Sequence, residues 1–330
     1  MKTDLKKTRV GVIGVGVMGQ HHVRILNQMS DVDFVGFHDL DEIRVMEICD
    51  RYSCKAFSTL DELIDEVEAL TIAAPTFLHY DIAIKCLEKS RALLVEKPLA
   101  ANADDAERIV ERARKNGVAL MVGHIERYNP AVAKLMELVK SGQETVITID
   151  AHRLNPFDGS RCLDVDVLYD LLIHDIDLAL EIADSEIKSV SASGRSVFSQ
   201  LNDIAYTRIE FMSGATAILV TSKASPKKTR TISVTTKTSY LEADTIDRTL
   251  VQHRAENLMV DRLGTCVMRD FHSEEIEIEN KEPLRLEIEE FVHCVRSGKK
   301  PIVDGERALK AMKAIELVAN AIDTGQTIYF

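Results

Sequence analysis

Over the first third of the chain, short apolar runs alternate with longer stretches in which apolar positions recur every three or four residues. The runs are Val10 to Ile13, Phe34 to Phe37, Val67 to Ala74 ending at Pro75, Ala92 to Val95 and Val118 to Val122. Too continuous to be half-exposed, they predict strands buried on both faces. The helices predicted between them carry their own punctuation. One runs from Gln20 to Met29, and one places Ile43, Val45, Met46, Ile48 and Cys49 on its apolar side. Thr59-Leu60-Asp61-Glu62 reads as a capping box, and a further helix near 80–89 carries Ile82, Ile84, Cys86 and Leu87. Asn102 caps another, with Asp104, Asp105 and Glu107 in its first turn, Arg112, Arg114 and Lys115 in its last, and Gly117 beyond. Strand and helix in regular alternation predict an α/β Rossmann domain, a doubly wound parallel sheet. Val118 to Val122 is the last of these runs and completes the sheet, and the domain closes at Gly123, spanning 1–123.

The pattern then changes. Asn129-Pro130 opens a helix to about Lys140, and a second helix covers about 165–183. Strands with period two are predicted from Thr145, at Val190 to Ser193, Ala205 to Met212, Ala215 to Ser222, Arg230 to Thr236 and Glu274 to Ile278, with Ser213-Gly214 as a hairpin turn. Helices near 283–296 and 305–322 finish the chain. Residues 124–330 are thus expected to form an α+β domain with a large open antiparallel sheet, the last helix being free to return to the first domain.

The junction after the first strand narrows the function. Val10 to Ile13 passes directly into Gly14-x-Gly16-x-x-Gly19, holding Val17 and Met18, and a helix follows at once. In that context the glycines allow a tight turn, close approach of a diphosphate to backbone and close helix–strand packing. The second strand delivers Asp39, twenty residues past Gly19, where a carboxylate accepts hydrogen bonds from ribose hydroxyls. No arginine stands at 40 or 41. NAD is therefore expected, with NADP disfavoured.

Composition removes other classes. Of 330 residues, 41 are basic and 53 acidic, a net charge of −12, which argues against nucleic acid or an anionic membrane as main partner. No run of apolar residues is long enough to span a membrane or resembles a signal peptide, so a cytoplasmic protein is expected. Its six cysteines are scattered without metal-site spacing, so they read as reduced thiols, and no metal is expected.

Two stretches carry catalytic chemistry. Ala92 to Val95 ends in Glu96-Lys97-Pro98, two opposite charges at the strand end where open parallel sheets hold ligands, although a surface ion pair would read the same way. Asp170 and His174 stand four apart on a predicted helix. They share a face, but Asp177 and Glu181 extend the stripe, which is equally the wet side of an amphipathic helix. Oxidising an alcohol needs a base for the hydroxyl proton and a cation beside the developing alkoxide, roles open to His174 and Lys97 in either assignment.

With the glycine loop, Glu-Lys-Pro and the His-bearing helix in this order, the chain resembles the Gfo/Idh/MocA family of oxidoreductases over nearly its whole length. Ala74-Pro75-Thr76-Phe77-Leu78-His79 is similar to the family's Thr-Pro-Asn-x-x-His stretch, with Ala74 and Thr76 departing from it. The resemblance implies Lys97, Asp170 and His174 as catalytic residues acting on a sugar or cyclitol hydroxyl. It also implies a cofactor held by Gly14, Gly16, Val17, Met18, Gly19, Asp39, Ala74, Pro75, Thr76, His79, Glu96 and Lys97. His124, Arg127, Tyr128 and Asn129, with Arg153 and Arg161, resemble the branch acting on nucleotide sugars such as UDP-N-acetylglucosamine. The arginines are candidates for a diphosphate, or else solvated loop residues. His21 and His22 read as helix residues near the cofactor phosphates. The expected function is an NAD-dependent dehydrogenase of a sugar, a nucleotide sugar oxidised at a ring hydroxyl, with an inositol or free-sugar dehydrogenase as one alternative and a non-catalytic NAD-binding regulator as another. Family members resembling this one pair through the C-terminal sheet, so a homodimer or homotetramer is expected, joined by apolar residues of Thr216 to Val220 and Thr231 to Val234.

Overall fold

The computed structural model describes residues 7–142, 144–157, 166–260 and 266–330, without the side chains of 255–260 and 266–271. The chain divides into two compact units, one made of 1–125 with 282–312 and the other of 126–281 with 313–330.

The first unit is built on β1 (Thr8–Ile13), β2 (Val32–His38), β3 (Ala69–Ile72), β4 (Ala92–Glu96) and β5 (Leu120–Gly123), all parallel, in the order β2-β1-β3-β4-β5. Every residue of β3, β4 and β5 is buried, as their uninterrupted apolar runs require. The sheet has five strands, one for each apolar run, and Ala56 adds only an isolated bridge to Phe37. Around it lie α1 (Gly19–Gln28), α2 (Glu42–Tyr52), α3 (Leu60–Glu66), α4 (His79–Glu88) and α5 (Ala103–Asn116). The capping box at Thr59 and Glu62 forms, the Asn102 side chain accepts from the Asp105 amide, and Gly117 ends α5 at φ 64°. α2 differs from its expected apolar side: Ile43 and Met46 are exposed and only Ile48 is buried.

α8 (Pro283–Ser297) lies in the first unit, packed on α1 and β1, with Ile288, Phe291 and Val292 buried. Arg24 pairs with Glu282, and Arg296 donates to Asp31 and to the Thr8 hydroxyl. Periodicity shows that a helix has an apolar face but not which surface covers it.

In the second unit α6 (Pro130–Ser141) and α7 (Ile173–Ala183) accompany a sheet of nine described strands. They are β6 (Val146–Leu154), β7 (Ile187–Arg195), β8 (Ile204–Phe211), β9 (Thr216–Ser222), β10 (Thr229–Thr236), β11 (Ser239–Asp244), β12 (Thr249–Val260), β13 (Cys266–Glu275) and β14 (Ile328–Tyr329). Their order is β13-β12-β11-β10-β6-β9-β8-β7-β14. All neighbours are antiparallel except β6 and β9, so the sheet is mixed and not purely antiparallel. β11 and β12 are strands the hydrophobic pattern missed, since the alternation is broken: Leu241, Ala243 and Leu250 are buried, but the next buried position is taken by polar Gln252, beside the apolar and only half-buried Val251. The helix expected over 165–183 is in fact a π-helical turn (Leu168–Leu172) leading into α7. α9 (Gly305–Thr324) runs from the first unit into the second.

The second sheet's outer face is more polar than expected. Ile232 and Val234 face inward and are buried, while Thr231, Ser233 and Thr235 alternate with them. Of the apolar residues in Thr216 to Val220, Ala217 and Leu219 are also internal, leaving Ile218 and Val220 half-buried on the other face.

Candidate functional site

In an open parallel sheet, neighbouring strands whose connections leave in opposite directions open a crevice beyond their C-terminal ends. Here that point lies between β1 and β3. A cavity of about 870 Å³ occupies it, walled by Gly14, Gly16 and Met18 after β1, by Asp39 and Arg44 after β2, by Ala74, Pro75 and His79 after β3, and by Glu96 and Lys97 at the end of β4. Val17 is exposed and Thr76 half-buried, and neither belongs to the described wall.

The glycines of the loop serve different ends. Gly14 has φ +82°, and a Cβ there would meet backbone of Ala73 and Ala74 at 2.8–2.9 Å. At Gly19 a Cβ would lie 1.9 Å from the Gly14 carbonyl oxygen, so helix and turn touch only because the side chain is absent. Gly16 is the reverse: a Cβ would approach nothing nearer than Arg44 Nη1 at 4.0 Å. Packing does not demand glycine there, but a diphosphate lying against bare backbone does. The first turn of α1 carries no acidic side chain, which leaves its positive end for an anion. These residues fit NAD.

Asp39 closes the loop: its Oδ2 accepts from the Val15 amide at 2.6 Å and its Oδ1 from the Asp41 amide at 2.9 Å. Arg44 Nη1 stands 3.8 Å from Asp39 Oδ2, and its Nη2 pairs with Asp41 Oδ2 at 3.3 Å. Sequence reading looked for an arginine at 40 or 41; one turn into α2, the helix brings Arg44 to the same place.

Two histidines take different roles from those expected. His22 is wholly buried, and its Nε2 lies 3.0 Å from Glu96 Oε1, so it faces the Glu-Lys-Pro strand end and not the phosphates. His79 lines the cavity, but its Nδ1 is 2.9 Å from the Pro98 carbonyl oxygen and its Nε2 is 2.8 Å from that of Ala74. With a carbonyl oxygen against each nitrogen, of which the neutral ring can donate to one, it braces the loop after β3 against the turn after β4. Burial pulls its pKa below the usual value, although the carbonyls and Glu96 act against that. The Lys97–Pro98 bond is cis.

In the second unit Asp170 sits on the π-helical turn and His174 in the first turn of α7. The stripe they begin is no wet helix face: His174 is 9% exposed and Asp177 2%. Asp170 itself is partly open, and its Oδ2 lies 3.3 Å from Nζ of Lys223, a buried lysine just past the end of β9 that sequence reading missed. The available signal was position alone, a lysine directly after an apolar strand.

The arginines proposed for substrate are otherwise engaged. Arg127 donates from Nε to Asp177 Oδ2 at 2.6 Å, from Nη2 to Oδ1 and to the Asp177 carbonyl, and from Nη1 to Glu181 at 2.8 Å. Arg153 donates to Asp175 from Nε and Nη2 and to Glu126 from Nη1, at 2.8–2.9 Å. Burial alone would lower both guanidinium pKa values, but the carboxylates outweigh it and leave them raised. Neither can turn to a diphosphate without abandoning buried carboxylates. Asn129 is likewise committed, capping α6 through the Ala131 amide and donating to the Thr245 carbonyl. His124 and Tyr128 are buried, and Arg161 lies outside the described residues.

Residues 8–124 match the family model described as an oxidoreductase family with an NAD-binding Rossmann fold, and 132–242 match the GFO/IDH/MocA C-terminal domain. The chain belongs to the Gfo/Idh/MocA family. Among its relatives in that family, UDP-N-acetylglucosamine 3-dehydrogenase of Acidithiobacillus ferrooxidans is 29% identical, covering 96% of this chain and 97% of its own. Myo-inositol 2-dehydrogenase of Thermotoga maritima is 28% identical over 92% and 93% of the two chains. A solved structure of the Acidithiobacillus enzyme superposes with a TM-score of 0.88, covering 97% of this chain and 99% of that one. The protein is therefore an NAD-binding oxidoreductase.

Among the described residues, no cluster of His, Cys, Asp or Glu is placed to hold a metal ion and no helix is long and apolar enough to cross a membrane. Burial pushes the thiols of Cys54 and Cys86 up to about 11 and about 12, so neither is a ready nucleophile.

Proposed function

We propose that the protein oxidises a ring hydroxyl of a nucleotide sugar with NAD as acceptor. The observation that carries this reading is the cavity on the glycine loop, which ends at Glu96 and Lys97 in a chain related end to end to a UDP-sugar dehydrogenase. Gly14, Gly16 and Gly19 with the start of α1 would hold the diphosphate, and Asp39 the adenosine ribose. When bound, NAD supplies the hydride acceptor. His174 takes the hydroxyl proton as the C–H hydride leaves, so alcohol becomes ketone, and the Lys97 ammonium stabilises the alkoxide in between. Asp170, steadied by Lys223, orients the substrate hydroxyls.

The second reading is an uncharged cyclitol or free sugar, favoured by the engagement of Arg127 and Arg153 with carboxylates. The non-catalytic alternative has no support in the family match. Turnover on UDP-N-acetylglucosamine, other UDP-sugars, myo-inositol and free sugars, followed by NADH appearance, tests the proposal. Faster turnover of a UDP-sugar than of any uncharged polyol is expected, and the reverse order overturns it.

We further assign the protein to the cytoplasm, in keeping with the free thiols of Cys49, Cys54, Cys86 and Cys294, and to a homo-oligomer joined through the outer face of the second sheet around Tyr206, Ile218 and Val220. A monomer in sedimentation at micromolar concentration contradicts the second assignment.

A further inference from the structure

Behind Glu96 lies a group of buried ionisable side chains that the proposed reaction does not use. Glu287, on α8, is fully buried, and neither carboxyl oxygen has a hydrogen-bond partner. His22, on the neighbouring α1, is equally buried, with Nε2 on Glu96 and Nδ1 unpartnered. Glu96 has space made for it: Gly123 pairs with it on β5, and a Cβ at Gly123 would come within 3.0 Å of Glu96 Oε2.

The leftover atoms are complementary. If the His22 Nε2–H donates to a Glu96 carboxylate, Nδ1 is left as an acceptor in need of a donor. A Glu287 carboxyl that keeps its proton is a donor in need of an acceptor. Two ionised carboxylates in one dry region would repel, and an unpaired buried charge is far costlier than a neutral acid. Burial first, then the charges of Glu96 and of Glu290 on the same helix, hold Glu287 well above the ordinary carboxylate range. His79, on which the charge of Glu96 also acts, and Lys97, the next residue along, are the further titratable groups that face Glu96 among the described residues.

We propose that Glu287 is a positioning residue, an un-ionised acid whose O–H, turned toward His22 Nδ1 through one bridging water, fixes His22 and thereby the ionised Glu96 beside Lys97. The path is Glu287 O–H through that water to His22 Nδ1, and His22 Nε2–H to Glu96. No proton moves along it in the resting protein. Its work is to hold one negative charge at the end of β4, where it keeps the Lys97 ammonium in place; that part rests on the catalytic reading of Lys97.

Infrared difference spectroscopy of the parent against Glu287→Gln, without substrate, tests the charge state independently of catalysis. The C=O stretch of an un-ionised carboxylic acid is expected in the parent at neutral pH and absent in the variant. No such band overturns the proposal. The positioning role is read from kinetics. Glu287→Leu, which removes the donor, should lower kcat by about tenfold with NAD affinity kept within about threefold, and Glu287→Gln, whose amide can donate, should restore most of it. Parental kcat in Glu287→Leu overturns that role. Should Glu287→Leu fail to fold, His22→Leu in the folded protein must shift the acid band, and an unmoved band is equally fatal. If no substrate of any class is turned over, the function proposed above fails while the infrared result still stands.

Discussion

The two units carry their chemistry in different materials. In the first, the cavity is shaped by backbone: a turn that admits no Cβ at Gly14, a helix start that admits none at Gly19, and one carboxylate held by two amides. In the second, charged side chains are arranged by other side chains, Arg127 by Asp177 and Glu181, Arg153 by Asp175 and Glu126, and Asp170 by Lys223. Backbone constraints are local and leave fixed spacings in a sequence, whereas ion pairs between residues far apart leave none. A family of sites can therefore be read from the first unit while the roles of individual residues in the second wait for the fold.

The comparison predicts unequal responses to substitution. Gly19→Ala forces a Cβ into the Gly14 carbonyl and should abolish measurable NAD binding, while Gly16→Ala has room inside the protein and should leave the melting temperature unchanged, yet weaken NAD by about tenfold or more by occupying the diphosphate's side of the loop. Calorimetric titration and thermal melting separate the two. Equal effects of both alanines on stability would erase the distinction drawn between them.

The buried ion pairs should respond the opposite way. Arg127→Met leaves Asp177 and Glu181 without their cation and should cost about 3–5 kcal/mol of stability in urea unfolding, as removal of one partner of a buried pair does. A ligand arginine would instead raise the substrate KM and leave stability alone. That result would return Arg127 to the substrate site.

Arg44 sharpens the reading of Asp39. Both stand at the cofactor cavity, so Asp39→Ala should remove repulsion from a 2′-phosphate and leave Arg44 to attract it, bringing NADP affinity up by about tenfold against NAD. Arg44→Ala should widen the preference for NAD. Identical cofactor ratios in all three proteins would show that the ribose end lies elsewhere.

The smallest effect is a pH dependence with two opposite limbs. His79 has a lowered pKa, from burial first, so it folds neutral. The stability it contributes is present above the unfolded value of 6.5 and is lost as pH falls from there through the folded value. Glu287 has a raised pKa, so its contribution is full below the ordinary carboxylate range and is lost as pH rises from that range through the folded value. Urea midpoints across pH should therefore fall at the acid side less in His79→Gln, and at the alkaline side less in Glu287→Gln. Unchanged slopes in both variants would contradict these protonation states.

The legibility of the sequence follows the same division. The alternation of runs and amphipathic stretches yielded the parallel sheet, its caps and its loop, because burial on two faces and helix ends impose residue types directly. What escaped was set by partners distant in sequence. Arg153 reads identically whether it meets a diphosphate or Asp175, and Ile288 and Phe291 mark a helix without saying that β1 and α1 cover it. β11 and β12 escaped because polar Gln252 takes a buried position while apolar Val251 does not, which breaks the alternation that marks a strand.

The central claim is that Lys97 and His174 carry out the oxidation while the glycine loop and Asp39 supply most of the hold on the cofactor. Steady-state kinetics of Lys97→Ala and His174→Ala on the best substrate, with NAD affinity measured separately, tests it most directly. Loss of turnover by about a hundredfold or more in each, at NAD affinity within about threefold of the parent, is the expected result. Near-parental turnover in both would contradict it.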